Sequence, residues 1–465
     1  MGKIKVLVKK GFYNLQEFGF KDTFRKAMMV VGGKVKSMLH FCSYKKKPKA
    51  FVVDREKYRV EYQEFIDTAK DKKALVILHM FYMDAWVEIK DYLKNLECYN
   101  YDLVITYIDK FKKQKVLDDI KSFKPEAKVF AVENKGYDLG PFILALKDVD
   151  LSQYDVVFKM HGKGIKRPFI FIYDQIFKGK DWFLQLWDGV LGPKTVHETM
   201  QKLLTNKSVG LVAASNLIVK DPLHKQSFTI DMAKSYGIDV PKDYEYVAGT
   251  CFAVKSQALE CIKSLDIPQD AFKKAEAGKF SYAHMLERLV CILIGKNYKF
   301  SGNEIIRKTY DKELEKYRKR SAMRLLNDDR FLIDYEFFYK VLETRPVYDY
   351  EVVDLKISDI RRAWNGKKLP ITECHAYKYL MGDKEQYLDY CKENKVMHSF
   401  DMHVERFDEL INSVSNSGYI DTHIIVVDED NMLKDGQHRL AILCKEHGVD
   451  YSVRVLRLYC KGPKK

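Results

Sequence analysis

The heptapeptide HGKGIKR at residues 161–167 places His161, Lys163, Lys166 and Arg167 directly behind the apolar run YDVVFKM at 154–160. Cations at the end of such a run can present fixed positive charge and N–H donors to phosphate oxygens. A bound divalent cation held by paired carboxylates would do the same work. The competing reading is a solvated basic loop. A second group lies in SYAHMLERL at 281–289, where His284, Glu287 and Arg288 stand at i, i+3 and i+4 and share one helix face. A carboxylate or imidazole there could take a proton from an attacking hydroxyl. Glu287 is the first candidate for that base, His284 the second and Asp109 the third, with a Glu287–Arg288 ion pair as the structural alternative. A third group is Asp435, Gly436, Gln437, His438 and Arg439, at the expected start of a helix. Amide groups and Arg439 could meet an anion there, or Asp435 could simply cap the helix.

These groups need elements to hold them. Residues 74–80, 101–107, 127–132 and 154–160 read as short buried strands, and 84–96 and 111–122 as helices between them. The alternation predicts an α/β domain with a mostly parallel sheet covered by helices on both faces. Ligands of such sheets bind outside the carboxyl ends of the strands. Asp109, the segment 133–138 and the basic loop 161–167 all fall at such ends. In ENKGYDLGPF, Asn134 and Asp138 offer polar groups, Gly136 permits a close backbone approach, and Gly140 with Pro141 fits a helix start. VAGTCFAVK at 247–255 reads as a strand in which Gly249 and Thr250 could line a ligand site.

The chain has 465 residues, 46% of them hydrophobic and 13% aromatic, enough for two or three packed domains and too many for global disorder. Thirteen Lys and Arg in residues 1–50 face only Glu17 and Asp22, so eleven of the fifteen net positive charges lie there. With interspersed Phe, Leu and Val, this segment could lie on an anionic membrane surface or pack as an arm on the next domain. No nucleic-acid partner is expected, because no nucleic-acid fold motif follows. Nine cysteines are scattered without metal-ligand spacing and read as thiols of a reducing compartment. No run is long and apolar enough to span a bilayer. The expected divisions are a basic segment at 1–50, a large α/β domain at 51–306, a charged helical linker at 307–354 and a smaller α+β domain at 355–465. In that last part, strands are expected at 423–427, 432–434 and 451–458 and a helix at 437–445, with Phe407, Leu410, Ile411 and Val414 forming one apolar helix face.

Five ordered blocks carry a resemblance: HMFYMDAW at 79–86, ENKGYDLGPF at 133–142, YDVVFKMHGKG at 154–164, VAGTCFAVK at 247–255 and YAHMLERL at 282–289. They resemble the rhamnan synthesis protein F family, which has a GT-A-like fold. Lys135, Tyr137 and Gly162 depart from the family's usual arginines and threonine. The resemblance implies a glycosyltransferase that moves a sugar, rhamnose being one option, from a nucleotide-diphosphate sugar to a cell-surface polysaccharide. Asn134, Gly136, Asp138, His161, Lys163, Lys166 and Arg167 would then face the donor, and Gly249 and Thr250 the lipid-linked or polysaccharide acceptor. With the basic loop supplying the charge, no metal is expected at this site. The DGQHR block resembles the ParB/sulfiredoxin-like fold and implies that Asp435–Arg439 bind a nucleotide, such as ATP with magnesium, for phosphotransfer or sensing. The cytoplasmic face of the cell membrane is the expected location. A noncatalytic glycan- or nucleotide-binding protein of a polysaccharide assembly complex is the alternative.

Overall fold

A computed structural model describes residues 55–162, 170–172, 175–177, 179–221, 227–241, 243–272, 282–305, 325, 328, 330, 347–364, 367–397, 404–419 and 423–461. The expectations for residues 1–50, for nearly all of 307–330, and for Lys163, Lys166 and Arg167 fall outside these residues. The chain divides into two compact units, one within 36–310 and one reaching from 311 to 465.

The first unit is built on a seven-stranded sheet. Its strands are β1 (Lys73–Met80), β2 (Asn100–Ile108), β3 (Lys128–Val132), β4 (Val156–His161), β5 (Val209–Ala214), β6 (Phe252–Lys255) and β7 (Lys299–Asn303). The spatial order is β7-β5-β6-β4-β1-β2-β3. β4, β1, β2 and β3 are mutually parallel, as are β5 and β7; β6 runs antiparallel between β4 and β5. Helices α1 (Trp86–Leu93), α2 (Gln114–Phe123), α3 (Leu139–Lys147), α4 (Gly179–Leu191), α5 (Thr195–Thr205) and α6 (Tyr282–Gly295) cover it.

Both faces of β1 are buried, which is why KALVILHM reads as a continuous apolar run rather than an alternating one. Val76 and Leu78 pack with Trp86, Ile89, Leu93, Leu186 and Trp187 on one face. Leu75 and Ile77 pack with Phe142, Ile143, Leu286 and Val290 on the other. Each such side chain contributes about 1.5–3 kcal/mol by leaving water. Pro141 lies in the first turn of α3, as expected.

One expected strand is broken. Only Phe252–Lys255 of VAGTCFAVK joins the sheet, after a short strand Glu245–Val247 that pairs elsewhere. Gly249 and Thr250 between them have φ of 85° and 56°, left-handed values that no strand accommodates.

The second unit carries a four-stranded sheet of β8 (Asp349–Lys356), β9 (Ile425–Asp428), β10 (Leu433–Asp435) and β11 (Ser452–Tyr459), in the order β8-β11-β9-β10. β8 pairs with β11 along its whole length, from Asp349↔Tyr459 to Lys356↔Ser452, and so straddles the boundary expected at 355. Its half-exposed residues form no apolar run to signal a strand. Helices α7 (His375–Leu380), α8 (Lys384–Met397), α9 (Val404–Ser417) and α10 (Gln437–His447) belong to this unit. Phe407, Leu410, Ile411 and Val414 of α9 all join its core, as their spacing predicts.

Candidate functional site

On the face of the first sheet that packs against α3 and α6, the apolar rows give way to polar ones at the carboxyl ends of the parallel strands. Val104, Ile77, Lys159 and Phe252 stand side by side in one row across β2, β1, β4 and β6. Thr106, His79 and His161 form the next. All four polar residues are buried, Lys159 to 1% exposure. His79 Nδ1 shares a 2.9 Å hydrogen bond with Thr106 Oγ1. Burial lowers the His79 pKa to about 4 despite the nearby Asp138 carboxylate, so the ring is neutral at pH 7.

A buried ammonium must be paired and hydrogen-bonded, and Lys159 is. Its Nζ forms an ion pair with Asp138 Oδ2 and donates to Thr250 O and Thr250 Oγ1, both at 2.9 Å. The Thr250 hydroxyl in turn donates to Asp138. His161 Nε2 donates to Gly249 O at 2.6 Å and lies 3.8 Å from Asp138 Oδ2. The phenyl rings of Phe142 and Phe252 flank the ammonium, 5.6 and 6.0 Å from their centroids. β4 thus uses two side chains on one face to grip two loops distant in sequence.

Both loops are held in an uncommon backbone conformation. Gly136 and Tyr137 have φ of 68° and 53°, and Gly249 and Thr250 follow the same pattern. A non-glycine residue in the left-handed region costs about 1–2 kcal/mol, and surrounding contacts must impose it. Gly249 also leaves no room for a larger residue: an added Cβ would stand 2.6 Å from the Trp182 ring. At Gly136 it would meet Phe272 at 2.4 Å.

Helix α6 closes this side. Glu287 Oε1 accepts from the Gly249 amide at 3.1 Å, and Glu287 Oε2 lies 3.3 Å from Arg288 Nη1. Arg288 also donates through Nε to the buried Asp221 at 2.8 Å and covers the Tyr246 ring at 4.4 Å. The ion pair expected between neighbours is therefore one link in a chain from Asp221 to the Gly249 turn. His284 sets its ring against Tyr137, 5.2 Å between centroids.

The structure therefore brings together Gly136, Asp138, His161, Gly249, Thr250, His284 and Glu287. Asn134 precedes Asp138 in the same loop. Asp109 lies exposed in the turn Asp109–Phe111 after β2, and among the described residues it makes no hydrogen bond or ion pair with the cluster. Sequence reasoning missed Lys159, His79 and Thr106. The available signal was a lysine and a histidine inside otherwise apolar strands. Among the described residues no group of three His, Cys, Asp or Glu side chains is disposed to hold a metal ion.

In the C-terminal unit, Gly436 has φ 87° immediately before α10, and an added Cβ would meet Ile425 at 2.9 Å. Arg439 pairs with Asp435 at 3.0 Å and donates to His423 O. His438 Nε2 shares a 2.9 Å hydrogen bond with Tyr387 Oη and lies against the Phe407 ring. Gln437 Nε2 is buried and has no hydrogen-bond partner among the described residues. The motif thus folds as a compact knot at a helix N-terminus.

The chain is 25% and 24% identical, over 227 residues, to the uncharacterized protein WxcX from two strains of Xanthomonas campestris pv. campestris. The matched part is 48% of this chain and 31% of each relative, so the chain spans about a third of the length of these curated relatives. The model of the family described as rhamnan synthesis protein F matches residues 34–298, which include the seven-stranded sheet nearly to its last strand and every residue of the Lys159 cluster. By that match the chain belongs to the rhamnan synthesis protein F family.

Proposed function

We propose that the first unit is a glycosyltransferase that moves a sugar from a nucleotide-diphosphate sugar to a growing cell-surface polysaccharide. The supporting observation is the convergence of the 136–138 loop, the end of β4 and the 249–250 turn at the carboxyl edge of a mostly parallel sheet, where such sheets take their ligands. In this reading Asn134, Gly136 and Asp138 grip the donor, and His161 with Lys163, Lys166 and Arg167 compensates the departing diphosphate without a metal. Gly249 and Thr250 border the acceptor. The acceptor hydroxyl forms the new bond to the anomeric carbon as the bond to the diphosphate oxygen breaks. Its proton passes to Glu287, His284 or Asp109, and the nucleoside diphosphate leaves.

The C-terminal knot, in this proposal, is ParB/sulfiredoxin-like and binds a nucleotide such as ATP with magnesium through Asp435, Gly436, Gln437, His438 and Arg439. The basic segment 1–50 holds the protein peripherally on the cytoplasmic face of the membrane. Among the described residues no helix is long and apolar enough to cross it. One observation favours the noncatalytic alternative: Glu287 is already engaged by the Gly249 amide and Arg288, as a structural carboxylate would be.

The test is hydrolysis of dTDP-rhamnose, UDP-glucose and GDP-mannose, with and without a lipid-linked saccharide acceptor, in EDTA or manganese. Turnover of one donor that survives EDTA and falls at least about tenfold in Lys163→Ala supports the reading. Turnover that vanishes in EDTA and returns with manganese contradicts the metal-free part. Binding of a donor without turnover, acceptor present, favours the noncatalytic alternative.

A further inference from the structure

We infer that Lys159 is a positioning residue, a buried ammonium that ties the 136–138 loop to the 249–250 turn and sets both for ligand. The inference rests on the reading that this edge of the sheet handles the donor, and it adds a residue that touches neither donor nor acceptor. Three observations carry it. At 1% exposure, Lys159 has no surface to offer a substrate. Its ammonium has three acceptors, Asp138 Oδ2, Thr250 O and Thr250 Oγ1, which matches its three N–H donors. These acceptors come from two segments more than a hundred residues apart in sequence, each carrying two consecutive left-handed residues.

The left-handed Tyr137 and Thr250 are unfavourable conformations maintained from outside. Tyr137 immediately precedes the carboxylate that Lys159 binds, and Thr250 is itself a Lys159 partner. One cation therefore stands behind both strained positions. His161 supports the same turn from the next polar row through Gly249 O, and Glu287 holds the Gly249 amide. Lys159 reaches both loops with hydrogen bonds, at Asp138 and at Thr250. A hydrocarbon side chain in its place would suit the row of Val104, Ile77 and Phe252, so stability alone does not call for a lysine here.

The experiment compares wild type, Lys159→Met, Asp138→Asn and the double variant Lys159→Met/Asp138→Asn, all in the full chain. Amide hydrogen exchange is followed in peptides covering 133–140, 247–252 and, as a remote control, 209–214. The inference predicts that Lys159→Met speeds exchange in the first two peptides together, by about tenfold or more, and leaves the control within about twofold. The double variant, which buries no lone carboxylate, recovers the melting temperature without recovering that protection. For the donor that wild type turns over, kcat falls at least about tenfold in Lys159→Met while KM changes less, and the double variant, which also lacks the Asp138 carboxylate proposed to grip the donor, does not recover kcat. Exchange that rises equally everywhere, rises in one loop alone or stays unchanged overturns the inference. So does loosening of both loops with kcat intact, which would make Lys159 merely structural. If wild type turns over none of dTDP-rhamnose, UDP-glucose and GDP-mannose with acceptor present, the transferase reading is what fails. The exchange pattern still decides whether Lys159 ties the loops.

Discussion

The Lys159 cluster and the Asp435–Arg439 knot use the same parts: a cation, an aspartate, a histidine and a glycine in the left-handed region. They assemble them differently. Lys159 reaches Asp138, 21 residues away, and Thr250, 91 residues away, and side-chain exposure in its ion pair is 1% and 15%. Arg439 pairs with Asp435 four residues back, at 18% and 33% exposure. The first arrangement fastens distant segments and exists only in the folded unit. The second is largely local and is partly solvated. A long-range, water-excluded ion pair defines the shape of the surface beside it, whereas a local, partly solvated one mainly orients its own helix end.

Breaking the two ion pairs should therefore cost very different amounts. Asp138→Ala leaves the Lys159 ammonium buried and uncompensated, and should lower unfolding stability by about 3–5 kcal/mol in denaturant titration. A loss under about 1 kcal/mol would show that the ammonium finds water, and would dissolve the contrast.

The two glycines offer a finer comparison. Gly249→Ala and Gly436→Ala each force a left-handed alanine, and each should cost about 1–3 kcal/mol. Gly249 should be the more sensitive, because its Cβ would meet both Trp182 and Leu186 within 2.8 Å. Equal losses would mean that backbone strain, rather than packing around the turn, dominates both sites.

Acid should act on the first cluster through His79. Its folded pKa of about 4 lies below the ordinary 6.5, so the unfolded chain takes up the proton first. Its contribution to stability is complete above about pH 6.5 and is lost as the pH falls toward 4. His79→Gln should flatten that part of the pH–stability curve, while an unchanged slope would assign the acid sensitivity elsewhere. The buried His197 and the half-buried His375, also lowered to about 4 by burial, should retain their own shares.

The smallest effect is expected from Asp435→Ala. The Arg439 pair is partly solvated, so its loss should change stability by less than about 1 kcal/mol, as read by thermal melting. A larger loss would recast the knot as a structural clamp.

The same contrast explains what could be read from the sequence. DGQHR stands out because its glycine, its charges and the following helix are contiguous. The strands of the parallel sheet were legible too, since burial on both faces makes each one a plain apolar run. Lys159 was not, because its partners are brought to it only by strand order and by two backbone turns that no local pattern announces. The glycine of VAGTCFAVK points to a close approach at Gly249, but nothing local announces the left-handed Thr250 beside it, and the segment reads as continuous strand. β8 escaped notice because its half-exposed residues form no apolar run. Glu287, His284, Asp138 and His161 were singled out separately as candidates, and their meeting at the Gly249 turn is a product of the fold. Asp109 shares the edge of the sheet without joining the cluster.

The measurement that bears most directly on the central claim is calorimetric titration of dTDP-rhamnose, UDP-glucose and GDP-mannose into wild type, Asp138→Asn and Arg439→Ala. The account predicts that one donor binds wild type, binds Asp138→Asn at least about tenfold more weakly, and binds Arg439→Ala with wild-type affinity. A donor that ignores the Asp138 change but is lost with Arg439, or the absence of binding by any of the three, would contradict it.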